Sequence, residues 1–341
     1  VIAEGERVPD LPVLDEGLRA QGAPGVYLAG DITGLPLIRN AINQGAHAVR
    51  SLARELESEG QKGGGEGFDL VIVGAGPAGI AAALEAKEQG LRACVLEQGS
   101  VAESVRSFPR GKLVFDQPLG VPRVGELWLE ESTKEELLGK WLRIVHREGL
   151  DIREGLRVTG CERRGGTLRV LAQTAVSEGS SEHGEAAFVD ARRVLLALGR
   201  RGTPRRLGAP IADAMVDHVH YSLADARSFA GKRVLVVGLG DVAMEAAAGL
   251  AHQPGTRVTV AYRGPDFKRG KRRNIDTLRR LASTGRVELL WSTTVEAIEP
   301  GRARLLGPKE NTQDLAVDCV FVMIGNVAPT ALLEAFGVSA S

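Results

Sequence analysis

Residues 68–79, FDLVIVGAGPAG, contain the pattern from which the fold class follows. An apolar run typical of a buried strand is followed by glycines in the spacing Gly-x-Gly-x-x-Gly. A helix is predicted over residues 80–89, and the run ACVLE predicts a second strand after it. The stretch therefore predicts a β-α-β unit whose glycine-rich turn is suited to a dinucleotide.

The glycines of this turn have separate physical roles. Gly74 permits a tight turn, Gly76 lets the backbone approach a pyrophosphate, and Gly79 permits close packing of helix on strand. Pro77 and Ala78 stand at the start of the helix, where the amides and the partial positive charge attract phosphate.

An acidic residue, Glu97, ends the second strand about 20 residues after the turn. A carboxylate at this place accepts hydrogen bonds from ribose hydroxyls and repels a 2′-phosphate. The first unit is therefore expected to bind FAD or NAD rather than NADP. The alternative is a structural turn with a surface glutamate.

A second β-α-β pattern begins at residue 232, with the strand KRVLVVG, the turn GLGDVA and the strand RVTVAYR. Gly238, Gly240, Asp241 and Val242 belong to this turn, in which alanine takes the third glycine position. Two similar units predict two nucleotide sites.

Basic residues, rather than an acid, follow the second unit's last strand. Arg263, Lys268 and Arg269 are suited to a 2′-phosphate through charge-assisted hydrogen bonds. This predicts NADPH over NADH, with NADH left open. The alternative is a solvated basic face, because residues 271–273 continue the run of positive charge.

The first sixty residues contain a strand-like run, GVYLAGD at residues 25–31, and an amphipathic helix that fades near residue 56. The polar, glycine-rich stretch ESEGQKGGGEG follows and predicts a flexible linker. Further along, a helix is predicted over residues 132–149, and a hairpin over residues 168–198.

Length and composition limit the classes of function. A chain of 341 residues suits two domains. Its 43 basic and 43 acidic residues argue against a general nucleic-acid binder. No apolar run approaches the ~20 residues that span a bilayer, and the start does not resemble a signal peptide. A cytoplasmic protein without a membrane partner is expected.

The cysteines and two histidines provide no catalytic motif. Cys94 and Cys319 lie in apolar runs and are expected to be buried, whereas Cys161 is left open. The three cysteines have no metal-ligand spacing. His218 and His220 have no cluster of acids or cysteines nearby and are expected to be loop residues rather than ligands or proton donors. The catalytic residue is therefore not identified.

Together these motifs resemble the flavin-dependent pyridine nucleotide-disulfide oxidoreductases, and within them the thioredoxin-reductase-like branch. GAGPAG with Glu97 resembles that family's FAD fingerprint, ALGRRGTPRRLG its interdomain segment, and GLGDVAMEAA its nicotinamide-nucleotide fingerprint. YLAGDITGLPLIRNA resembles its second FAD motif. The resemblance implies that Asp31 binds the ribityl-phosphate part of FAD and that the helix start at Asn40 and Ala41 faces the flavin pyrimidine, where a helix dipole would stabilise the reduced flavin.

The resemblance implies an α/β fold with two Rossmann-like, three-layer dinucleotide-binding domains for FAD and NAD(P)H. Hydride would pass from nicotinamide to flavin and then to an acceptor outside the chain. A homodimer is also expected. The expected cofactor-binding residues, with no metal ligand among them, are Gly30, Asp31, Asn40, Ala41, Gly74, Gly76, Pro77, Ala78, Gly79, Glu97, Val158, Gly238, Gly240, Asp241, Val242, Arg263, Lys268 and Arg269.

Two departures from the family leave the electron acceptor open. Thioredoxin reductases carry CxxC where this chain has HVHYSLADARSF, so no internal dithiol relays electrons. The spacing of the middle segment is more similar to the bacillithiol-disulfide-reductase-like members, which lack CxxC but carry a cysteine where this chain has Ala78. A small-molecule or protein disulfide, a ferredoxin, and a redox-sensing role with little turnover remain the alternatives.

The order of the motifs is rotated relative to the family, in which the second FAD motif (here called the GD motif, after Gly30 and Asp31) closes the FAD domain. The expected domains are 1–57 (the C-terminal-type part of the FAD domain), 58–67 (linker), 68–205 (main FAD domain), 206–325 (NAD(P)H domain) and 326–341 (return to the FAD domain). A circular permutation predicts that Asp31 and Gly74 meet around one FAD. A piece of a tandem fusion predicts that they lie in separate bodies.

Overall fold

The computed structural model describes residues 11–34, 37–60, 67–106, 108, 110, 113–114, 119–127, 132–174, 184–199, 204–268, 270–326 and 329–339. The chain divides into two units. The first comprises Val1–Arg106, Leu113–Gly202 and Ala328–Ser341, and the second comprises Ser107–Lys112 and Thr203–Val327.

Except for α7 (Thr330–Ala335), the helices and strands described in the first unit precede residue 203. In chain order these elements are β1 (Val26–Leu28), α1 (Ile38–Ser58), β2 (Phe68–Val73), α2 (Pro77–Glu88), β3 (Ala93–Leu96), α3 (Glu103–Arg106), β4 (Leu113–Val114), β5 (Leu119–Val121), β6 (Gly125–Leu127), β7 (Ser132–Thr133), α4 (Lys134–Glu148), β8 (Ile152–Arg153), β9 (Leu156–Arg164), β10 (Thr167–Thr174) and β11 (Ala186–Leu196).

The main sheet of the first unit has seven strands in the order β8-β3-β2-β11-β10-β9, with β1 paired to β11. The pairs β8–β3, β3–β2, β2–β11 and β11–β1 are parallel, whereas the pairs β11–β10 and β10–β9 are antiparallel. The parallel strands are buried apolar runs, as expected for a sheet covered on both faces. This is the predicted three-layer, Rossmann-like arrangement, to which the antiparallel strands β9 and β10 are added.

The N-terminal strand and helix belong to the same unit as the first glycine-rich turn. Strand β1 pairs with one side of β11 at residues 194–196, and β2 pairs with its other side. Helix α1 packs on α2 so closely that a Cβ on Gly45 would lie 2.1 Å from the carbonyl oxygen of Ala78. The tandem-fragment alternative predicts that Asp31 and Gly74 lie in separate bodies, whereas both lie in the first unit. The circular permutation of the family's order stays a prediction.

Side-chain hydrogen bonds join β1 to α1 and attach the end of this N-terminal segment to β11. The Tyr27 hydroxyl donates to a Glu55 carboxylate oxygen at 2.6 Å, and Arg193 of β11 donates to Glu59 at 2.7 Å. Burial raises the pKa of the Tyr27 hydroxyl well above its ordinary value. The Tyr27 phenol therefore stays protonated and acts as a hydrogen-bond donor inside the first unit.

The second unit contains a parallel and an antiparallel sheet, and α7 then returns to the first unit. In chain order the remaining elements are β12 (Val219–His220), β13 (Arg233–Val237), α5 (Asp241–Ala251), β14 (Arg257–Tyr262), α6 (Arg272–Ser283), β15 (Val287–Trp291), β16 (Thr294–Glu299), β17 (Arg302–Leu306), β18 (Thr312–Ala316), β19 (Cys319–Val322) and α7 (Thr330–Ala335).

The larger sheet of the second unit is fully parallel, with the strand order β12-β19-β13-β14-β15. Strands β16, β17 and β18 form a separate antiparallel sheet. Helices α5 and α6 bury Met244, Leu250 and Leu278 against the parallel sheet. The second predicted β-α-β unit is therefore β13, α5 and β14.

Most predicted elements lie within a few residues of the observed ones, and the differences have local causes. Helix α4 starts at residue 134 because Thr133 and Glu136 form a capping box. Helix α1 extends to residue 58, so the predicted linker starts inside its last turn. Asn326 bridges to Pro204 in the second unit, so the return to the first unit follows Asn326 rather than beginning there.

Within the residues that the structure describes, no helix has the length and apolarity needed to cross a bilayer.

Candidate nucleotide-binding sites

The turn after β2 accepts only glycine at two of its positions. Gly74 has a φ of 104°, and a Cβ on it would lie 2.6 Å from the carbonyl oxygen of Ala197. A Cβ on Gly79 would lie 1.8 Å from the carbonyl oxygen of Gly74. The first glycine thus makes the turn and the third brings α2 onto it, as predicted from the sequence.

Gly76 differs from these two because it borders open space. Among the described residues, no heavy atom lies within 4 Å of the place that a Cβ on Gly76 would occupy. Gly76 is also the N-cap of α2, which starts at Pro77 and receives no side-chain cap bond. The first-turn amides of a helix have no intrahelical acceptor, so this end of α2 is suited to an anionic group such as a pyrophosphate.

The Glu97 carboxylate is held against this turn. Its Oε2 accepts a hydrogen bond from the Ala75 amide at 2.7 Å, and its Oε1 accepts one from the Gly99 amide at 2.8 Å. The side chain is 8% exposed. Because each carboxylate oxygen has a second lone pair, Glu97 fits the predicted role of ribose acceptor while it also braces the turn. The bracing contacts were not foreseen from the sequence.

The structure brings Gly30 of the GD motif beside the first turn of α2. Gly30 has a φ of 94°, and a Cβ on it would lie 3.2 Å from the carbonyl oxygen of Leu198 and 3.5 Å from the Cβ of Ala78. Its amide donates to Gln44 Oε1 of α1 at 2.9 Å. Asp31 follows directly and begins a short 3-10 helix. Residues predicted at two distant points of the sequence therefore line one region of the first unit.

The other three residues expected on the FAD side lie in the same unit but in different surroundings. Asn40 and Ala41 occupy the first turn of α1, and Ala41 is buried. Val158 is a residue of β9 whose side chain is 7% exposed and packs in the hydrophobic core of the unit. A cofactor contact by Val158 stays a prediction.

The turn after β13 repeats the geometry of the first. Gly238 has a φ of 113°, and a Cβ on it would lie 2.4 Å from the carbonyl oxygen of Met323. Gly240, the N-cap of α5, borders open space within the described chain. Asp241 begins the helix, and Val242 is 50% exposed.

A cleft of about 470 Å³ opens beside this turn, lined by Gly240, Asp241, Gly270 and Lys271. Asp241 Oδ1 accepts hydrogen bonds from the Lys271 amide and from Asn274 Nδ2, both at 2.8 Å. Gly270 and Asn274 were not predicted from the sequence, because neither belongs to the fingerprint and only the fold brings them to it.

Two of the three predicted 2′-phosphate residues lie in the described chain. Arg263 directly follows β14 and is exposed, and Lys268 is exposed further along the same loop. Arg269 lies outside the described residues. The loop then passes Gly270 and Lys271 at the cleft, so positive charge continues to the start of α5.

None of the three thiols is activated. Burial raises the pKa of Cys94 to about 12 and that of Cys319 to about 11, and it also raises the pKa of Cys161. A nucleophilic cysteine needs the opposite shift. Cys94 and Cys319 are buried as predicted, and Cys161 is half-buried.

His220 is part of an aromatic cluster rather than a proton relay. Its ring lies 5.1 Å from that of Phe229 and 5.0 Å from that of Phe321. Burial, with a smaller effect of His218, lowers the pKa of His220 below its ordinary value. In the described part of the chain, no three His, Cys, Asp or Glu side chains are grouped as metal ligands.

Two units, each with a glycine-rich turn at the start of a helix, define a two-nucleotide α/β protein. The chain belongs to the pyridine nucleotide-disulphide oxidoreductase family, whose family model matches residues 71–340. The resemblance drawn from the motifs is thereby confirmed. Gly30 and Asp31 lie outside the matched range.

Individual relatives and structures agree with this family. The chain is 32% identical over 239 residues to a ferredoxin–NADP reductase of Ignicoccus hospitalis, covering 70% of this chain and 69% of the relative. It is 25% identical over 272 residues to bacilliredoxin reductase Bdr of Bacillus subtilis, covering 79% and 80%. The structure of bacillithiol disulfide reductase Bdr from Bacillus cereus superposes with a TM-score of 0.67 at 19% identity, covering 80% of this chain and 82% of that one. That likeness confirms the fold.

Proposed function

We propose that this chain is an FAD-dependent oxidoreductase that oxidises NADPH and delivers the electrons to an acceptor outside the chain. The observation that carries the proposal is that residues of opposite charge follow the two glycine-rich turns. The first turn is followed by the buried acid Glu97, and the second by the exposed bases Arg263 and Lys268. Acid suits a ribose without a 2′-phosphate, and base suits one that carries it.

The first unit is the proposed FAD-binding domain. Gly74 and Gly79 make the tight turn, Gly76 leaves space for a pyrophosphate, and Glu97 offers lone pairs for the adenosine ribose. Asp31 is proposed to bind the ribityl-phosphate part of FAD. When bound, FAD supplies a carrier that accepts hydride from the nicotinamide and releases electrons to an acceptor.

The second unit is the proposed NADPH-binding domain. The amides at the start of α5 would hold the pyrophosphate at Gly240, and the bases of the 263–273 stretch would bind the 2′-phosphate. NADH shares the first interaction but not the second, so NADPH is the favoured nucleotide.

A ferredoxin-type protein is the acceptor that the residues favour. Burial raises the pKa of all three thiols, which is the opposite of the shift that activates a cysteine for disulfide exchange. Ala78 stands where the bacillithiol-linked members carry a cysteine. An iron–sulfur acceptor needs no thiol in the reductase, and the Ignicoccus hospitalis relative is named for ferredoxin.

A disulfide acceptor is the second candidate, supported by the Bacillus subtilis relative that is named bacilliredoxin reductase. A regulatory flavoprotein that binds both nucleotides and turns over slowly is the third. The resemblance also leads us to propose a cytoplasmic homodimer, which light scattering on the purified chain would test for its oligomeric state.

The decisive experiment follows the visible flavin absorbance of the purified chain without oxygen. NADPH should bleach it rapidly, and ferredoxin coupled to cytochrome c should then restore it. Restoration by bacillithiol disulfide instead would favour the second candidate, and slow restoration by every acceptor would favour the third. Absence of bound FAD, or of bleaching by either nicotinamide nucleotide, would overturn the proposal.

A further inference from the structure

Helix α6, which follows the loop after β14, is attached to helix α5 by a buried asparagine. Asn274, the third residue of α6, is 7% exposed. Its Nδ2 donates to Asp241 Oδ1 at 2.8 Å and lies 3.2 Å from Glu245 Oε1. Asp241 and Glu245 are four residues apart and therefore share one face of α5. Both amide hydrogens of Asn274 thus have an acceptor on this helix.

The same oxygen of Asp241 also fixes the backbone of the loop. The amide of Lys271, which is the N-cap residue of α6, donates to Asp241 Oδ1 at 2.8 Å. Gly270 precedes it with a φ of 135°, a conformation that side chains disfavour. A Cβ on Gly270 would also lie 2.4 Å from the flexible end of Met244. The loop therefore passes α5 at close range and is bonded there.

The charges on this loop do not help the fold. Lys271, Arg272 and Arg273 stand at the start of α6, where the helix dipole disfavours cations. Arg272 is 95% exposed and reaches Asp276 only at 3.9 Å. These bases are better explained by an anion than by stability of the helix, and the proposed 2′-phosphate is such an anion.

We propose that Asn274 is a positioning residue that sets the preference for NADPH, by bonding Asp241 and so holding the basic loop beside the Gly240 turn. The inference rests on the proposed function of the second unit. Asn274 is bonded to Asp241 but is not among the residues that line the cleft. Its effect is transmitted through Asp241 to the Lys271 backbone, which lines the cleft.

The test compares Asn274→Ala with the wild-type chain in its FAD-loaded form. Alanine favours helix α6, so the change removes the amide without weakening the helix. Losing hydrogen bonds to two carboxylates should weaken NADPH binding about five- to tenfold, with NADH changed less than about twofold. KM for NADPH should rise while kcat is kept, because the nicotinamide end is untouched.

Two fragments separate the subsites. Adenosine 2′,5′-bisphosphate should bind the variant more weakly than it binds the wild type. ADP, which carries a pyrophosphate but no 2′-phosphate, should bind the variant and the wild type equally. Asn311→Ala, at an exposed asparagine of the same unit, is the matched control and should change neither. If alanine lowers the melting temperature, Asn274→Gln, which keeps an amide donor, should show the same selectivity to a smaller degree.

The outcomes separate this inference from the proposed function. Equal weakening of NADPH and NADH, or none, in a wild-type background that prefers NADPH would overturn the positioning role alone. A wild-type chain that binds neither nucleotide, or prefers NADH, would overturn the NADPH assignment and the inference together.

Discussion

Replacing Gly45 by alanine tests whether the N-terminal segment docks on the first glycine-rich turn. A Cβ at this position would lie 2.1 Å from the Ala78 carbonyl oxygen and 3.0 Å from its carbon. Because these are backbone atoms, α1 and α2 must move apart by about 1 Å. Overpacking of this kind costs about 1–3 kcal/mol. Alanine gains back about 1 kcal/mol of helix propensity, so a net loss of about 0–2 kcal/mol is expected.

Gly139→Ala is the matched control, because Gly139 lies inside α4 and, among the described residues, no atom lies within 4 Å of the place that its Cβ would occupy. This variant should gain helix stability, about 0.5–1 kcal/mol. For a unit of this size, 1 kcal/mol corresponds to about 2–4 °C in melting temperature. Gly45→Ala should therefore melt lower and retain less FAD, while Gly139→Ala melts slightly higher with full FAD.

If the N-terminal segment were not docked, Gly45→Ala would raise the melting temperature instead of lowering it. Residue 45 would then be an ordinary position of a helix, and alanine would stabilise it. Melting curves and the ratio of flavin to protein absorbance measure both effects. A Gly45→Ala protein that melts above the wild type with a full complement of FAD would refute the packing of α1 on α2.

Three further predictions concern the second unit. Changing Arg263 and Lys268 together to alanine should raise the Kd for NADPH about tenfold or more and leave NADH unchanged; equal losses in a titration would contradict a 2′-phosphate role. Gly238→Ala should abolish NADPH binding while FAD stays bound, because its Cβ would meet the Met323 carbonyl oxygen at 2.4 Å and its φ is 113°; retained flavin bleaching by NADPH would argue against this site. Hydrogen bonds from Arg233 hold the pKa of Asp318 at about 2, below its ordinary value of 3.8; Asp318→Asn should therefore melt lower at neutral pH, by a difference that shrinks as pH falls from about 4 towards 2, and a difference independent of pH would contradict the ion pair.

The parts of the fold that local patterns encode were predictable. Strand β2, the turn and α2 follow from one apolar run, three glycines and one helical pattern. The sheet of β16, β17 and β18 was missed, although its first turn carries a signal in Pro300-Gly301. The run on either side of that turn is rich in charge, and half-buried strands of this kind lack the apolar density that marked β2.

The parts of the site that depend on tertiary contacts were not predictable. Asn274 reads as one polar residue in a basic helix, and only the packing of α6 on α5 turns it towards Asp241, 33 residues earlier. The fingerprint supplies Gly238 and Gly240 by spacing alone. Glu97 lies between these cases, since its position was predicted and its bonds to Ala75 and Gly99 were not.

Residues on both sides of the predicted linker lie against strand β11 in the first unit. Glu59, just after α1, is bonded to Arg193 of β11, and a Cβ on Gly67, just before β2, would lie 3.0 Å from the Asp190 carbonyl oxygen. Positions 190 and 193 are about 10 Å apart along a strand. The eight links of chain from residue 59 to residue 67 reach up to about 26–29 Å. Since this reach is longer than the distance between the two β11 positions, the length of chain after α1 is compatible with β1 and β2 both pairing with β11 in one sheet.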